Sequence, residues 1–259
     1  MTGTKGTMIQ PRDLAILREL AMMRVANREQ VKLACAFGSI TRVNARLLAL
    51  TEAGLLRRYF LGEGAGRKAL YALSEKGARL IDVPLRGPRR RQNETLVADY
   101  YVGHQLAVNE VYCTLKFRPI PFPQVAFRRW MSFHETIAPS LRLIPDGYVE
   151  LGTPDGILAA FLEVDLGHES MAVWKEKTRQ YLQLAVSGDF ARKFGQFRFR
   201  VLVLVTSMRR QKSIRATVAA QTEKIFWFAT LEAVSKCFFG AVWTRPADDR
   251  PQTFIQEHP

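Results

Sequence analysis

One tight turn fixes the pairing of a long stretch of this sequence. Thr153-Pro154-Asp155-Gly156 separates two apolar segments of strand-like composition. Proline at the second turn position and glycine at the fourth favour a type I turn. If Thr153 pairs with Gly156, the flanking segments form a β-hairpin in which Asp146 lies opposite Glu163, give or take one residue for a bulge.

This hairpin would gather three carboxylates. Glu163 and Asp165 are two residues apart on the second strand, so they share a face with Asp146 on the first. Three carboxylates on one face repel one another, and the arrangement is costly without a cation or a shifted proton. Hard oxygen ligands of this kind suit Mg²⁺ or Mn²⁺. The sequence therefore predicts a divalent-metal site at Asp146, Glu163 and Asp165.

The charge of the chain is uneven along its length. Its 259 residues suit one large or two small domains and carry a formal net charge of +14. Residues 1–91 hold 18 Lys and Arg against 7 Asp and Glu, whereas residues 92–259 hold 20 against 17. We expect a polyanion, with double-stranded DNA as the first choice, to bind the first third. A merely soluble basic surface is the alternative.

The cysteines and the apolar segments indicate a cellular location. Three widely spaced cysteines are typical of reduced thiols in a cytoplasmic protein. The first residues lack the apolar stretch of a signal peptide, and no apolar run approaches membrane-spanning length. We expect a cytoplasmic protein, associated with nucleoid or plasmid, that makes no membrane contact.

Residues 9–83 read as three helices, a hairpin and a short closing helix. Pro11 begins the first helix, Asn27 caps the second and Ser39 caps the third, which ends at Gly54. Two strands, LLRRYFL and KALYALS, follow around the loop GEGAGR, and SEKGARLI closes the unit.

This order, carried by TRVNARLLALTEAGLLRRYF and GRKALYALSEKGARLI, resembles winged helix-turn-helix regulators. The resemblance implies that the third helix enters the major groove and reads bases through Arg42, Asn44 and Arg46. Arg57, Arg58, Arg67 and Lys68 would hold phosphates from the wing. The alternative is that these residues form a solvated face. A homodimer is among the expected assemblies, since two-fold binding is common in such proteins.

A basic linker, residues 84–93, precedes a second domain over residues 94–245, and residues 246–259 form a tail. The second domain reads as helix, three strands, helix, strand, helix, strand. Long antiparallel strands followed by a crossover helix predict an α/β sheet with mixed pairing.

That order resembles the PD-(D/E)xK nuclease-like fold, with Pro145-Asp146 as its PD and Glu163-Val164-Asp165 in place of its (D/E)xK. Asp165 stands where the lysine should be. Some members carry the lysine on the next helix, so Lys177 is the first candidate for that catalytic role and Lys175 the second. Glu110 or Glu135 could supply a further carboxylate. In the alternative, the strand-end acids pair with Arg142, Arg179 or Arg200 and bind no metal.

Both halves together resemble the replication-relaxation family of plasmid and mobile-element proteins, through TRVNARLLALTEAGLL, HQLAVNEVY, PDGYVEL, FLEVDLGHESMAVWKEKTRQY and RVLVLVTS. The resemblance implies a DNA-binding protein involved in plasmid replication and DNA relaxation, with a nuclease-like domain. We expect that domain to nick or cut DNA using a divalent metal. The alternatives are a non-enzymatic winged-helix regulator and an adaptor, with a degenerate nuclease fold, that recruits plasmid replication or transfer proteins.

Overall fold

The structure, a computed structural model, describes residues 8–62, 67–87, 95–96 and 100–255. It divides into two compact units, residues 1–113 and 114–259, called here the N-terminal and C-terminal units. Helices and a five-stranded mixed sheet confirm the predicted α/β class. The predicted wing tip and most of the predicted linker lie outside the described residues.

The N-terminal unit begins with three helices in the predicted order. They are α1 (Pro11–Met23), α2 (Arg28–Ala34) and α3 (Ile40–Glu52). Asn27 accepts from the Gln30 N–H at 2.8 Å and Ser39 accepts from the Arg42 N–H at 3.3 Å, so both predicted caps are present.

A hairpin and a short helix follow, and a glycine in that helix allows it to pack closely against the start of the hairpin. The two-residue strand β1 (Ala26–Asn27), which the sequence did not predict, pairs with β3 (Lys68–Leu73), and β3 pairs with β2 (Leu56–Leu61). Helix α4 (Glu75–Leu80) begins where the Ser74 hydroxyl accepts from the Gly77 N–H at 3.0 Å. A Cβ at Gly77 would lie 2.1 Å from the Leu55 carbonyl oxygen, so this close approach requires glycine.

The next helix belongs largely to the N-terminal unit, although the sequence assigned it to the second domain. Strand β4 (Thr95–Leu96) pairs with β2, and helix α5 (Tyr100–Phe117) follows and crosses the division at residue 113. The buried Asn109 amide donates to the carbonyls of Met23 and Val25 at 3.1 and 2.7 Å. These bonds tie the helix to the end of α1, so the predicted boundary at 84–93 is not where the compact units divide.

The C-terminal unit is built on a five-stranded sheet with the order β5-β6-β7-β8-β9. The strands are β5 (Ala126–Met131), β6 (Gly147–Thr153), β7 (Gly156–Asp165), β8 (Arg200–Val205) and β9 (Phe226–Thr230). The first three strands are antiparallel, and β7, β8 and β9 are parallel, which is the predicted mixed pairing.

Three helices cover one face of this sheet. They are α6 (Met171–Val186), α7 (Asp189–Phe194) and α8 (Met208–Ala219). Their buried side chains, among them Trp174, Tyr181 and Phe190, form one core with Tyr148 and Phe161 of the sheet. The short α7 was missing from the sequence prediction. Odd-numbered residues of β7 point toward these helices, because alternate strand residues share a face.

The last described residues, 246–255, pack into the C-terminal unit, although the sequence assigned them to a tail after the second domain. Helix α9 (Leu231–Cys237) leads to β10 (Ala241–Trp243), which pairs with β11 (Gln252–Thr253). Phe254 is fully buried against Trp227 and Trp243. No helix in the described part of the chain is long and apolar enough to cross a membrane.

Candidate functional site

The hairpin register brings Asp146 beside Glu163, as the turn predicted. Thr153 pairs with Gly156 and Gly147 pairs with Leu162, so one further step places Asp146 opposite Glu163. The Asp146 N–H donates to the Leu162 carbonyl at 3.1 Å. In return, the Val164 N–H donates to the Asp146 carboxylate at 2.7 Å. These bonds fix the carboxylate of Asp146 against the strand that carries Glu163.

Helix α6 supplies two polar partners to Glu163. The Lys177 ammonium donates to Glu163 Oε2 at 2.8 Å, and the Tyr181 hydroxyl donates to Glu163 Oε1 at 2.6 Å. Lys177 and Tyr181 are four residues apart and share a helix face. Both oxygens of Glu163, whose side chain is 1% exposed, are therefore engaged.

A further acid completes the surroundings of the lysine. Glu169, in the loop before α6, accepts from Lys177 Nζ at 2.7 and 2.9 Å. The ammonium also lies 5.2 Å from the ring centroid of Trp174. Lys177 thus stands between two carboxylates on the face of an aromatic ring. Lys175, the second candidate, is exposed on another side of the helix.

Burial and charge shift the protonation of this cluster. Burial, together with the neighbouring Asp146 charge, raises the pKa of Glu163 to about 7, and Lys177 and Tyr181 act in the opposite direction. Burial alone would lower the pKa of Lys177, but Glu163 and Glu169 outweigh it and raise that pKa. The lysine is therefore held as a cation, and it offsets part of the cost of a buried carboxylate.

Asp165 has its own set of donors, and this argues against its expected role as a metal ligand. Arg210 Nη2 donates to its carboxylate at 2.6 Å, Trp174 Nε1 donates at 2.6 Å, and the Gly167 N–H also donates to it. Burial would raise the pKa of Asp165, but these donors outweigh it and lower that pKa. The ion pair foreseen as the alternative is present, although its partner is Arg210 and none of the three arginines named from the sequence.

The structure therefore offers a divalent cation fewer carboxylate ligands than the three that were expected. Among the described residues, no three acidic, histidine or cysteine side chains form a metal-binding group. Mg²⁺ in phosphoryl chemistry commonly uses only one or two carboxylates and completes its shell with waters and substrate oxygens. Asp146 and Glu163, on adjacent strands, meet that smaller requirement. Of the other candidate acids, Glu135 is exposed and Glu110 belongs to the N-terminal unit.

The third helix presents fewer of its expected base-reading residues than the sequence predicted. Its buried stripe is Val43, Leu47 and Leu50. Arg42 is exposed on the outer side, and Asn44 is half-buried at the edge of the stripe. Arg46 differs from expectation, because its guanidinium forms an ion pair with the fully buried Asp13 of α1 and also donates to the Met8 carbonyl at 2.9 Å. Arg46 holds α3 to α1 in this conformation.

The wing residues divide between two faces of the hairpin. The guanidinium groups of Arg58 and Arg67 lie 5.3 and 4.8 Å from the Phe60 ring centroid, and Lys68 is exposed. Arg57 alternates with Arg58, so it points to the same side as the buried Tyr59. One phosphate backbone could meet Arg58 and Arg67 together, whereas Lys68 pairs with Leu61 and lies on the other face, with Arg57.

Sequence reasoning missed three residues that shape the site. Glu169 and Arg210 make its ion pairs, and the Tyr181 hydroxyl donates to Glu163. The spacing of Lys177 and Tyr181 on α6 was the signal for the tyrosine. No comparable signal existed for Arg210, which approaches Asp165 from a helix 45 residues away in sequence.

Comparison with known proteins identifies the family. No curated protein and no solved structure gave a match. The family model described as replication-relaxation matches residues 17–199, which is 183 of the 259 residues and includes Asp146, Glu163 and Lys177. The chain belongs to the replication-relaxation family.

Proposed function

We propose that this chain is a DNA-binding protein of a plasmid or mobile element that nicks or cuts DNA with a divalent metal. The observation that carries the proposal is the contact set of the C-terminal unit, in which Asp146 lies opposite Glu163 and Lys177 bonds to Glu163 at 2.8 Å. Two carboxylates and a lysine are the charged groups of a PD-(D/E)xK site with its lysine moved to the next helix.

Asp146 and Glu163 would hold Mg²⁺ or Mn²⁺, which when bound supplies an activated water and neutralises charge on the phosphate. The chain's own groups have separate tasks. The Val164 N–H orients Asp146, and the Tyr181 hydroxyl orients Glu163. The Lys177 ammonium stabilises negative charge that grows on a phosphate oxygen, because its raised pKa keeps it protonated.

The N-terminal unit supports the DNA-binding half of the proposal. It has the helix order and hairpin of a winged helix-turn-helix, and most of the net charge lies in residues 1–91. Arg42 and Asn44 of α3 would face base edges, and Arg58, Arg67 and Lys68 would face phosphates. Double-stranded DNA is the proposed partner.

A second candidate function has its own supporting observation. Lys177 already pairs with Glu163 and Glu169, and Arg210 pairs with Asp165, so three of the acids have a basic partner without any metal ion. These ion pairs favour a non-enzymatic regulator, or an adaptor that recruits plasmid replication or transfer proteins.

Plasmid nicking separates the two functions. The full chain is incubated with supercoiled plasmid and Mg²⁺ or Mn²⁺, and conversion to open-circle or linear DNA is measured. Wild type should nick, whereas Asp146→Ala and Lys177→Met should lose at least 100-fold in rate, because each removes a group that acts on transition-state charge. Lys175→Met, which removes the same charge from an exposed position of the same helix, should retain the wild-type rate.

Direct measurement of metal binding does not depend on which DNA sequence the protein recognises. Mn²⁺ binding is followed by electron paramagnetic resonance with wild type and Asp146→Ala. Binding that disappears in Asp146→Ala supports the site. Absence of both Mn²⁺ binding and nicking in wild type would reject the nuclease proposal and leave the non-enzymatic function. Nicking that Lys177→Met retains would remove the lysine from the mechanism.

A further inference from the structure

A cleft of about 750 Å³ lies at the end of the five-stranded sheet where the β6–β7 hairpin turns. Its lining includes Phe197, Arg198, Arg200, Trp227 and Arg245. The exposed Asp155 of the turn also contributes, so the lining holds three arginines against one acid. Its volume falls within the range of about 300–1,000 Å³ that is typical of small-molecule sites.

This cleft is separate from the Asp146–Glu163 site. Arg200 pairs with Ala160 of β7, three residues before Glu163. Three residues along a strand span about 10 Å, and an odd number of residues places the side chains on opposite faces. Arg200 and Glu163 therefore point to opposite faces of the sheet, and the cleft lies at the end of the strands away from Glu163, where Ala185 near the end of α6 also contributes to its lining.

Two arginine side chains lie against one indole ring in this cleft. The guanidinium carbons of Arg200 and Arg245 lie 4.8 and 4.6 Å from the Trp227 ring centroid. Neutral backbone oxygens accept from them, the Phe254 carbonyl from Arg200 and the Glu223 carbonyl from Arg245 at 3.1 Å. Within the described residues, neither arginine forms an ion pair with a carboxylate.

Bringing two like charges together in a partly buried place is unfavourable without an anion. Burial and, secondarily, the charge of Arg245 lower the pKa of Arg200 to about 10. Burial also lowers the pKa of Arg245. Each guanidinium carries five N–H donors, and the described contacts use one donor of each in this cleft. Donors therefore remain for an anionic ligand.

Two further observations bear on which groups the ligand has besides its negative charge. Trp227 is 4% exposed, and its Nε1 has no hydrogen-bond acceptor in the described part of the chain. Phe197 is 90% exposed at the rim of the cleft, next to the exposed Arg198. An exposed aromatic ring beside arginines is suited to a base stacked above a phosphate.

We propose that this cleft binds a nucleotide, with Arg200 and Arg245 gripping its phosphate and Phe197 stacking on its base. Planar guanidinium groups bind phosphate oxygens through paired hydrogen bonds, and a phosphate relieves the repulsion between the two arginines. The nucleotide has two sources, a free mononucleotide or a segment of single-stranded DNA. This binding site is additional to the DNA-binding and nicking proposed above.

The first experiment uses the unmodified full chain. Arginines are labelled with phenylglyoxal, with or without thymidine monophosphate or an oligothymidylate of about 12 nucleotides, a length that covers a typical single-strand site. Peptide mass mapping then measures labelling at each arginine. At least one of the two probes should protect Arg200 and Arg245 at least threefold, whereas the exposed Arg192 of α7 should be labelled to the same extent with and without the probe. Unprotected Arg200 and Arg245 with both probes would overturn the proposal.

Paired variants test the same site by affinity. Arg200→Met with Arg245→Met should weaken binding of the protecting probe at least tenfold, because each arginine supplies charge-assisted hydrogen bonds to the phosphate. Arg192→Met with Arg250→Met removes the same charge from exposed positions of the same unit and should bind as wild type. Equal binding by both double variants would overturn the proposal. If the cleft variant fails to fold, the labelling result decides.

The two probes distinguish the sources, and a third variant separates this proposal from the DNA-binding one. Protection by the mononucleotide assigns a free nucleotide, and protection by the oligonucleotide alone assigns a single strand. Arg42→Ala in the N-terminal unit should leave the protection of Arg200 and Arg245 unchanged. Loss of duplex binding in Arg42→Ala with retained protection would show that the two sites act independently.

Discussion

Two carboxylates on strand β7 have different roles, because they bind different partners. Glu163 and Asp165 lie two residues apart and are both almost fully buried. A buried carboxylate requires a hydrogen-bonded or charged partner. Arg210 and Trp174 satisfy Asp165, whereas Lys177 and Tyr181 satisfy Glu163. Only Glu163 has Asp146 opposite it, so the site narrows to these two acids.

The Asp165–Arg210 pair should be structural, and one variant tests this. Arg210→Met would leave a fully buried carboxylate without its counter-charge and should lower the free energy of unfolding by about 3–5 kcal/mol. Urea denaturation followed by circular dichroism measures the change. Arg209→Met, an exposed neighbour on α8, is the matched control and should change stability by less than about 0.5 kcal/mol. A similar small loss for Arg210→Met would show that the pair does not support the fold.

At the scale of elements, helix α5 changes how the chain must be divided. Val102 of α5 packs into the same core cluster as Val25, Tyr59 and Leu70. Asn109 of this helix bonds to the end of α1. The amino-acid composition changes at the basic segment before α5. The compact units divide later in the chain, because α5 covers the core of the N-terminal unit.

A fragment comparison tests the role of α5. Residues 1–117 retain the whole helix, whereas residues 1–91 expose Val25, Tyr59 and Leu70. Burial of large apolar side chains contributes roughly 1.5–3 kcal/mol each, so the short fragment should be largely unfolded at 25 °C. Thermal melts by circular dichroism should give a cooperative transition for the long fragment only. Equal melting temperatures would show that α5 adds nothing to this unit.

Local chemistry was enough to predict most elements and their pairing. Ser39 and Asn27 cap helices as expected, and Thr153 pairs with Gly156 because proline and glycine define that turn. The same register correctly placed Asp146 opposite Glu163. These features depend on neighbours within a few residues, which is the range over which sequence patterns are informative.

Long-range partners were the part that the sequence could not supply. Arg46 was assigned to base reading because it lies near the outer face of α3, but the buried Asp13, 33 residues earlier, binds it. The ion pair between Arg210 and Asp165 is a second such case. Phe254 is a third, because it packs against Trp243 although the predicted domain ended at residue 245. Each case depends on tertiary packing, which overrides local preference.

The positive charge of the molecule is concentrated in the first part of its N-terminal unit. Residues 1–91 carry a net charge of +11 and residues 92–259 only +3. Long-range attraction to a polyanion therefore acts mainly on residues 1–91. The two proposed activities, duplex binding and phosphodiester cleavage, use residues that belong to separate units, and this separation makes them testable one at a time.

Variants in the two units should act independently. Arg42→Ala with Lys68→Ala should weaken duplex DNA binding and reduce the slope of log affinity against log salt by about one unit for each phosphate that is no longer neutralised. The same double variant should keep wild-type Mn²⁺ affinity, and Lys177→Met should keep wild-type DNA affinity. Fluorescence anisotropy over a salt series measures the first effect, and Mn²⁺ titration measures the second. Because distant sites contribute independently, the combined variant should bind DNA as Arg42→Ala with Lys68→Ala does and bind Mn²⁺ as Lys177→Met does, each within about 0.5 kcal/mol. Altered Mn²⁺ affinity in Arg42→Ala with Lys68→Ala, or a non-additive combined effect, would show that the two units communicate.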